Sequence, residues 1–461
     1  MKASRRMRAV ARSLALPVVA AAAMTLFATA AAVAQFGGGA GGFFGGVGGI
    51  SIDAAGIVRN VDGAALEALA ETRRAALANN RLPAAAGELR KVSLARVVAA
   101  VREAAAGKPL PADVALLGGL ERITHVFVDP ERHDIVLAGP ADAAVVGPVG
   151  TIVAATSRRP LLQLEDLITA LRAIDGARQG GMRCSIDPTP EGIARVQRFL
   201  AERRTIGPDP QAVFRGMEEA LGPQTVTVGG VPADSRFARV LVAADFRLKR
   251  IGMGLEPSGV AGLPSYLAMV PPGGKATSLP RFWLEAEYDP IARDADELAW
   301  RLSGRRMKCL TETDVLAKGG MQRGQGPADK VAQQWCAAMT KHYEDVAAQQ
   351  PAFAELVNCV DLAVVAALIQ GRQLAGRAGL DIGPLLDAAA VPLPRYDVPA
   401  SVPTVASGLK KGTNWVLSAS GGVQFQPWAF TAETVVDAAV APARTAALAA
   451  RPAEVAGISW D

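Results

Sequence analysis

The stretch from Ala233 to Gly254, ADSRFARVLVAADFRLKRIGMG, constrains the fold more than any other. Phe237, Val240, Leu241, Ala244, Leu248 and Ile251 recur at intervals of three and four, the mark of a helix with one apolar face. Asp234 or Ser235 is placed to cap its start, and Gly252 to end it. Arg247, Lys249 and Arg250 crowd its last turn. They could form a phosphate patch, but bases there also suit the negative end of the helix dipole, and that explanation suffices. A helix this one-sided needs an apolar surface to lie on. QTVTVGGV, just before it, reads as a strand that leads into the helix.

The remainder of the chain alternates the same two kinds of element. ISIDAAGIVRNV reads as strand, turn, strand; helices follow near Gly63–Leu77 and Ser93–Ala106. THVFVDPERHDIVLAG is a hairpin around a proline-containing turn. GTIVAATS is a strand, and LQLEDLITALRAI is a helix with Leu164, Leu167, Ile168 and Leu171 on one stripe. In MRCSIDPTPEGIARVQRFL, the run Met182–Ile186 is a short strand, Thr189 an N-cap, and Pro190 the first helical position. A helix near Pro210–Leu221 comes next. PRFWLEAEYDP and ELAWRLSGRRMKCLTET suggest three antiparallel strands, the last two joined around Ser303-Gly304. Helices Ala328–Gln349 and Ala352–Leu374 form an antiparallel hairpin at Pro351. Beyond Gly383 come proline-rich strands, an aromatic hairpin NWVLSASGGVQFQPW, and an alanine-rich tail expected to be partly disordered.

The expected fold class is therefore α+β: mixed α/β units with antiparallel hairpins, then a helical hairpin and a β-containing C-terminal tail. The expected boundaries are a signal peptide at 1–34, a Gly-rich flexible leader at 35–49, an α+β core at 50–320 with room for two subdomains, a helical hairpin at 321–382, and a Pro-rich/β segment with an Ala-rich tail at 383–461.

The N-terminus sets the expected compartment. Lys2, Arg5, Arg6, Arg8 and Arg12 precede an uncharged, mostly apolar run from Leu14 to Ala34 that ends in a small-x-small site, Ala32-Val33-Ala34. Cleavage is expected between Ala34 and Gln35, giving an exported protein of the periplasm, cell envelope or extracellular space. The run is long enough to remain as an anchor, since a span needs about 20 residues, but it is alanine-rich and contains Pro17. Ser4-Arg5-Arg6 resembles a twin-arginine signal, with Arg8 where such signals prefer a large apolar residue. No cysteine precedes Cys184, which excludes a lipoprotein.

Removing the signal changes the charge. The full chain carries 49 Lys and Arg against 44 Asp and Glu, and five of the basic residues lie in the first 34. The remainder is 44 against 44, so a nucleic-acid partner loses its main electrostatic warrant and none is expected. The roughly 425 remaining residues exceed one typical core. No second apolar run suggests a membrane span; the most apolar helix, around Leu356–Ile369, carries Asn358 and Asp361 and reads as core. Cys184, Cys309, Cys336 and Cys359 are widely spaced, without the pattern of a metal cluster. Cys336 and Cys359 fall on successive helices at depths about 9 Å apart, beyond disulfide reach, so buried free thiols are expected.

Little in the sequence is a catalytic motif. There is no P-loop, no Gly-x-Ser-x-Gly elbow and no His-Glu-x-x-His, and a formal G-x-G-x-x-G at Gly37, Gly39 and Gly42 sits in low complexity rather than at a strand–helix turn. No cofactor or metal is expected. The three histidines are scattered: His342 shares a stripe with Trp335 and Met339, while His125 and His133 flank a hairpin turn near Asp129 and Asp134. Cys184 and Ser185 point to opposite faces of their strand with no base nearby. The best surface candidate is the strand Arg281–Tyr288. Alternation puts Arg281, Trp283, Glu285 and Glu287 on one face. A tryptophan beside two carboxylates suits recognition of a sugar or peptide. Two strand positions separate the carboxylates by about 7 Å, a glycosidase-like spacing, yet one strand cannot flank a bond from both sides. Arg301 and Lys308 are placed to neutralise them across the sheet.

The phrases DIVLAGPA, RPLLQLEDLITALR, CSIDPTPEG, GPQTVTVGGVPADSRFARVLVAADFRLKRIGMGLEP and GLPSYLAMV together resemble the domain-of-unknown-function 1598 family, over about Ile50–Leu374. The resemblance implies an exported bacterial protein of a kind found largely in planctomycete-type bacteria, with one architecture. It carries no catalytic residue. The expected function is non-enzymatic binding or structure in the envelope or outside the cell, toward a polymer or protein partner, on the face of Trp283, Glu285 and Glu287. The alternative is a hydrolase acting on peptide or glycan, built from dispersed carboxylates or Cys184.

Overall fold

A computed structural model describes residue 47 and residues 49–61, 63–78, 86–147, 150–202, 209–272, 280–312, 315–317, 320–322, 329–407, 419–453 and 457–461. The expected signal, its cleavage point between Ala34 and Gln35, nearly all of the Gly-rich leader, and residues 414–418 of the aromatic hairpin lie outside the described residues.

Two sheets organise the chain. Their strands, in chain order, are β1 (Gly87–Ser93), β2 (His125–Asp129), β3 (Asp134–Ala141), β4 (Met182–Asp187), β5 (Gln224–Gly229), β6 (Arg281–Glu287), β7 (Ile291–Arg293), β8 (Ala299–Arg301), β9 (Arg306–Glu312), β10 (Ser401–Val402), β11 (Ser420–Phe425), β12 (Thr434–Val436) and β13 (Ser459–Trp460). The six-stranded sheet has the order β9-β6-β11-β4-β5-β10 and the seven-stranded sheet β12-β7-β8-β2-β3-β1-β13. Each is antiparallel except at one junction, β6 with β11 and β7 with β12. Both parallel junctions join the C-terminal segment to a strand laid down far earlier. The molecule is α+β, as the alternation of patterns implies.

The main helices are α1 (Gly63–Ala78), α2 (Leu94–Ala105), α3 (Leu164–Ala173), α4 (Pro190–Glu202), α5 (Pro210–Leu221), α6 (Arg236–Gly252), α7 (Lys330–Lys341), α8 (Tyr343–Gln349), α9 (Pro351–Gly371), α10 (Pro427–Ala432) and α11 (Val440–Ala449). The amphipathic helix that dominates the sequence is α6, capped by the Ser235 hydroxyl, which accepts from the Ala238 amide. It lies under β4 and β11. Behind it runs α9, buried from Ala352 to Ile369 and packed against α3, α6, α8 and α10. By length and composition α9 could cross a membrane, but it is wholly buried here. A helix enclosed on every side needs apolar residues on every side.

Three expectations give way to tertiary packing. The strands on either side of Ser303-Gly304 are not neighbours: β8 belongs to the seven-stranded sheet and β9 to the six-stranded one, so the chain crosses between sheets at that turn. The first helix of the expected hairpin breaks at His342 into α7 and α8; α7 packs on β9, and only α8 packs on α9. The alanine-rich tail is ordered into α11, whose Val440 and Ala447 join Phe127, Val136, Ala299 and Trp460 in a small core of their own. Alanine has the highest helix propensity and needs only such a surface to fold on.

Candidate functional site

On β6 the residues alternate as expected. Phe282, Leu284 and Ala286 are buried, while Trp283, Glu285 and Glu287 are only half-buried. The same division runs across the sheet. Met307, Cys309, Val423, Met182, Cys184, Ile186 and Val226 face α6, α7 and the core. Leu310, Gln424, Arg183, Thr225 and Thr227 are exposed on the opposite side. Among the described residues this face is exposed at those five positions, while Arg281, Ser420 and Gly422 on it are buried.

Its register brings distant residues into rows. Trp283 pairs with Leu310 on β9 and Gly422 on β11; Gly422 pairs with Ser185, and Ser185 with Thr227. The next row is Lys308, Glu285, Gln424, Arg183. The indole of Trp283 lies against Gly422, where an added Cβ would stand 2.9 Å from the ring and 2.0 Å from the Cys184 carbonyl oxygen. Glycine at this position lets the ring lie on the strand. The Arg281 guanidinium stands 4.7 Å from the ring centre, a cation–π contact, and pairs with Asp187 at 3.3 Å and Glu312 at 3.5 Å. Lys308 pairs with Glu285 at 3.3 Å, as its position predicts. Glu287 is met by Arg305 at 3.2 Å, and not by Arg301, which reaches Asp437 on the other sheet at 2.5 Å. The sheet change at Ser303-Gly304 is what takes Arg301 away.

The face is thus charge-balanced, with its carboxylates engaged by bases from one side. That is poor geometry for a pair of catalytic acids. Two polar atoms on it have no hydrogen-bond partner among the described residues: the indole Nε1 of Trp283 and the hydroxyl of Ser420, both buried. Buried donors of this kind are ordinarily satisfied by protein, water or ligand.

The other candidates are placed elsewhere. Cys184 is fully buried against α6; burial, with the nearby Asp245 carboxylate, pushes its thiol well above the usual range. His125 stacks on Phe127 and touches the Thr124 hydroxyl; burial and the Arg301 charge hold its imidazole down to about 4. His133 lies beside the Ala378 carbonyl, and His342 pairs with Asp345 at 3.0 Å. Asp129 and Asp134, the acids near the hairpin turn, are taken up by Arg132, Arg451 and the Ser93 hydroxyl. No group of three metal-ligating side chains occurs among the described residues. A surface concavity of about 620 Å³ is lined by the loop Gly254–Ser265. Its one acid, Glu256, is held by Arg247 and Arg250.

The strongest electrostatic cluster is one that no sequence pattern announced. Arg236, at the start of α6, pairs in the core with Asp166 of α3 and Glu355 of α9. Burial opposes the Arg236 charge, but the two carboxylates outweigh it and keep the guanidinium protonated. Beside them, burial and the neighbouring Asp166 raise Glu165 to about 8, against Arg236 and a hydrogen bond from the Tyr396 hydroxyl. The available signal was a charged residue on the apolar side of each of three helices. Under the sheet, Lys249 donates to Asp245 at 2.7 Å and to the Ile186 carbonyl at 2.9 Å. The base in the last turn of α6 is thus an internal tie, not a phosphate ligand.

Residues 184–266 match the model of a family described as a protein of unknown function, DUF1598. The chain resembles that family. The matched segment runs from within β4 through α4, α5, β5 and α6 to the loop that lines the concavity. It includes Ser185, Thr225 and Thr227 of the open face and stops short of Trp283, Glu285 and Glu287. The match is narrower than Ile50–Leu374, the span over which the resemblance was expected. No curated protein and no solved structure matches the chain.

Proposed function

We propose that this is an exported, non-enzymatic binding protein of the cell envelope or extracellular space, and that the open face of the six-stranded sheet recognises an extended polymer. The observation that supports the reading most is the row through Trp283. A half-buried indole stands against the Gly422 strand, with Gln424, Ser185 and Thr227 on the same face. The exposed part of such a ring offers stacking area, and the surrounding hydroxyl and amide groups suit a polyhydroxylated chain. The engaged glutamates then contribute orientation rather than chemistry. A hydrolase built on Cys184 has no such support, because that thiol faces the core.

Trp283→Ala should weaken co-sedimentation with a purified insoluble envelope glycan strongly, since truncating an aromatic anchor commonly costs at least about 2 kcal/mol of binding. Glu285→Gln, which loses one partly exposed ion pair, should change it little. Equal retention of both variants, with both folded by circular dichroism, would remove the face from the reading. Export has a separate test. N-terminal sequencing of protein from fractionated cells should begin at Gln35; a cytoplasmic chain starting at Met1 contradicts it.

A further inference from the structure

Among the four buried cysteines, two are in contact. The sulfurs of Cys309 on β9 and Cys336 on α7 stand 3.4 Å apart, although the residues are 27 positions apart in sequence. The contact is held by a second tie one helical turn away. The Thr340 hydroxyl accepts from the Cys309 amide at 2.8 Å and donates to the Cys309 carbonyl at 3.3 Å. β9 is an edge strand of its sheet. Thr340 therefore covers the backbone groups that an edge leaves open, and in doing so sets Cys336 over the Cys309 side chain. Closing from 3.4 Å to a sulfur–sulfur bond of about 2.0 Å is within the reach of side-chain rotation.

We propose that Cys309 and Cys336 form a disulfide site that fastens edge strand β9 to helix α7 when the chain folds in the presence of a low-molecular-weight disulfide. One protein thiolate attacks the reagent disulfide and releases one reagent thiol. The second protein thiolate then displaces the remaining reagent sulfur, so that one protein S–S bond forms and the reagent leaves as two thiols, having gained the two electrons and the two protons of the protein thiols. Burial, with the adjacent Cys336, pushes the Cys309 thiol well above its usual range in the folded protein. A thiol that ionises so poorly reacts slowly, which places closure during folding, before α7 seals the strand. Cys184 and Cys359 remain thiols. The bond would clamp the strand that carries Lys308 and Leu310, and its chemistry is independent of what the Trp283 face binds.

The test is refolding of the denatured, reduced full chain in a mixture of reduced and oxidised glutathione, followed by alkylation in denaturant and peptide mass mapping. The expected product has one cross-linked peptide pair, Cys309 with Cys336, a mass lower by two hydrogens, and two alkylated cysteines, Cys184 and Cys359. The oxidised chain should also unfold at higher denaturant than the reduced one, since a cross-link restricts the unfolded chain, and Cys336→Ala or Cys309→Ala should abolish that difference. Four alkylated cysteines, a different pairing, or a midpoint shift that survives Cys336→Ala would each overturn the assignment. If refolding yield is low, the same peptides are mapped on the soluble refolded fraction alone: a Cys309–Cys336 link supports the assignment, and four alkylated cysteines in that folded fraction overturn it.

Discussion

Gly421 and Gly422 decide the local geometry around Trp283. Gly421 has φ +118, and a Cβ there would stand 1.9 Å from the Phe282 carbonyl oxygen. Strand β11 can therefore come in beside β6 only with glycine at this position. Gly421→Ala should open the parallel junction and cost about 3 kcal/mol or more. A denaturant melt of the variant checks this, and an unchanged midpoint would mean that the strand adjusts. Single residues also separate into two kinds of charge. Glu285 and Glu287 meet bases on the surface, where ion pairs contribute little. Asp166, Asp245 and Asp361 meet theirs in the core, where loss of one partner strands the other.

Among the elements, α9 shows how such a charge is tolerated. Its apolar circumference lets it sit against helices on several sides, yet Asp361 stands fully buried on it. That carboxylate accepts from the Ile123 amide at 3.2 Å and from the Tyr288 hydroxyl, and forms an ion pair with Arg306 at 3.0 Å. The three partners come from the segment before β2, from β9 and from just past β6, so one side chain ties the central helix to both sheets. Asp361→Ala leaves the Arg306 charge buried without its carboxylate and should cost roughly 3–5 kcal/mol. Asp361→Asn, which keeps one acceptor, should fall between that and wild type. Equilibrium unfolding of the two variants distinguishes them, and a cost below about 1 kcal/mol for Ala would show that Arg306 finds another acceptor.

For the whole molecule, the buried acids predict an unusual pH dependence. Glu165 titrates at about 8 when folded, against 4.5 ordinarily. Between those values the folded state keeps a proton that the unfolded state has released, so stability falls as pH rises and levels off above about 8. Asp245, raised from 3.8 to about 6 chiefly by burial, acts in the same direction at lower pH. His125, held down from 6.5 to about 4, acts oppositely: the unfolded chain binds its proton first, so stability is lost as pH falls below 6.5. Above that point Glu165 dominates. Stability should drop by about 2 kcal/mol between roughly pH 6.5 and 8, and Glu165→Gln should flatten the slope. Denaturant midpoints across that range test it; a wild-type curve that rises with pH would refute the assignment.

Local physics made much of this chain legible in advance. The stripe of α6, the hairpin of β2 and β3, the strand-to-helix joint after β4 and the alternation on β6 follow from periodicity and caps, which act over a few residues. The pairing of Glu285 with Lys308 was legible for the same reason. Partners set by chain crossings were not. β8 and β9 look like a hairpin until the chain changes sheets between them, and with that change Arg301 leaves the candidate face. Gly422 comes under Trp283 only because a C-terminal strand inserts beside β6, and Cys309 meets Cys336 only because the expected long helix breaks at His342 and its first half docks on β9. Which residues form helices and strands, and which of their faces are apolar, could be read from the amino-acid order, because both depend on neighbours along the chain. Which faces meet, which buried charges pair and which side of one sheet stays open came from packing, because contacts between elements far apart in the chain leave no periodic trace in either.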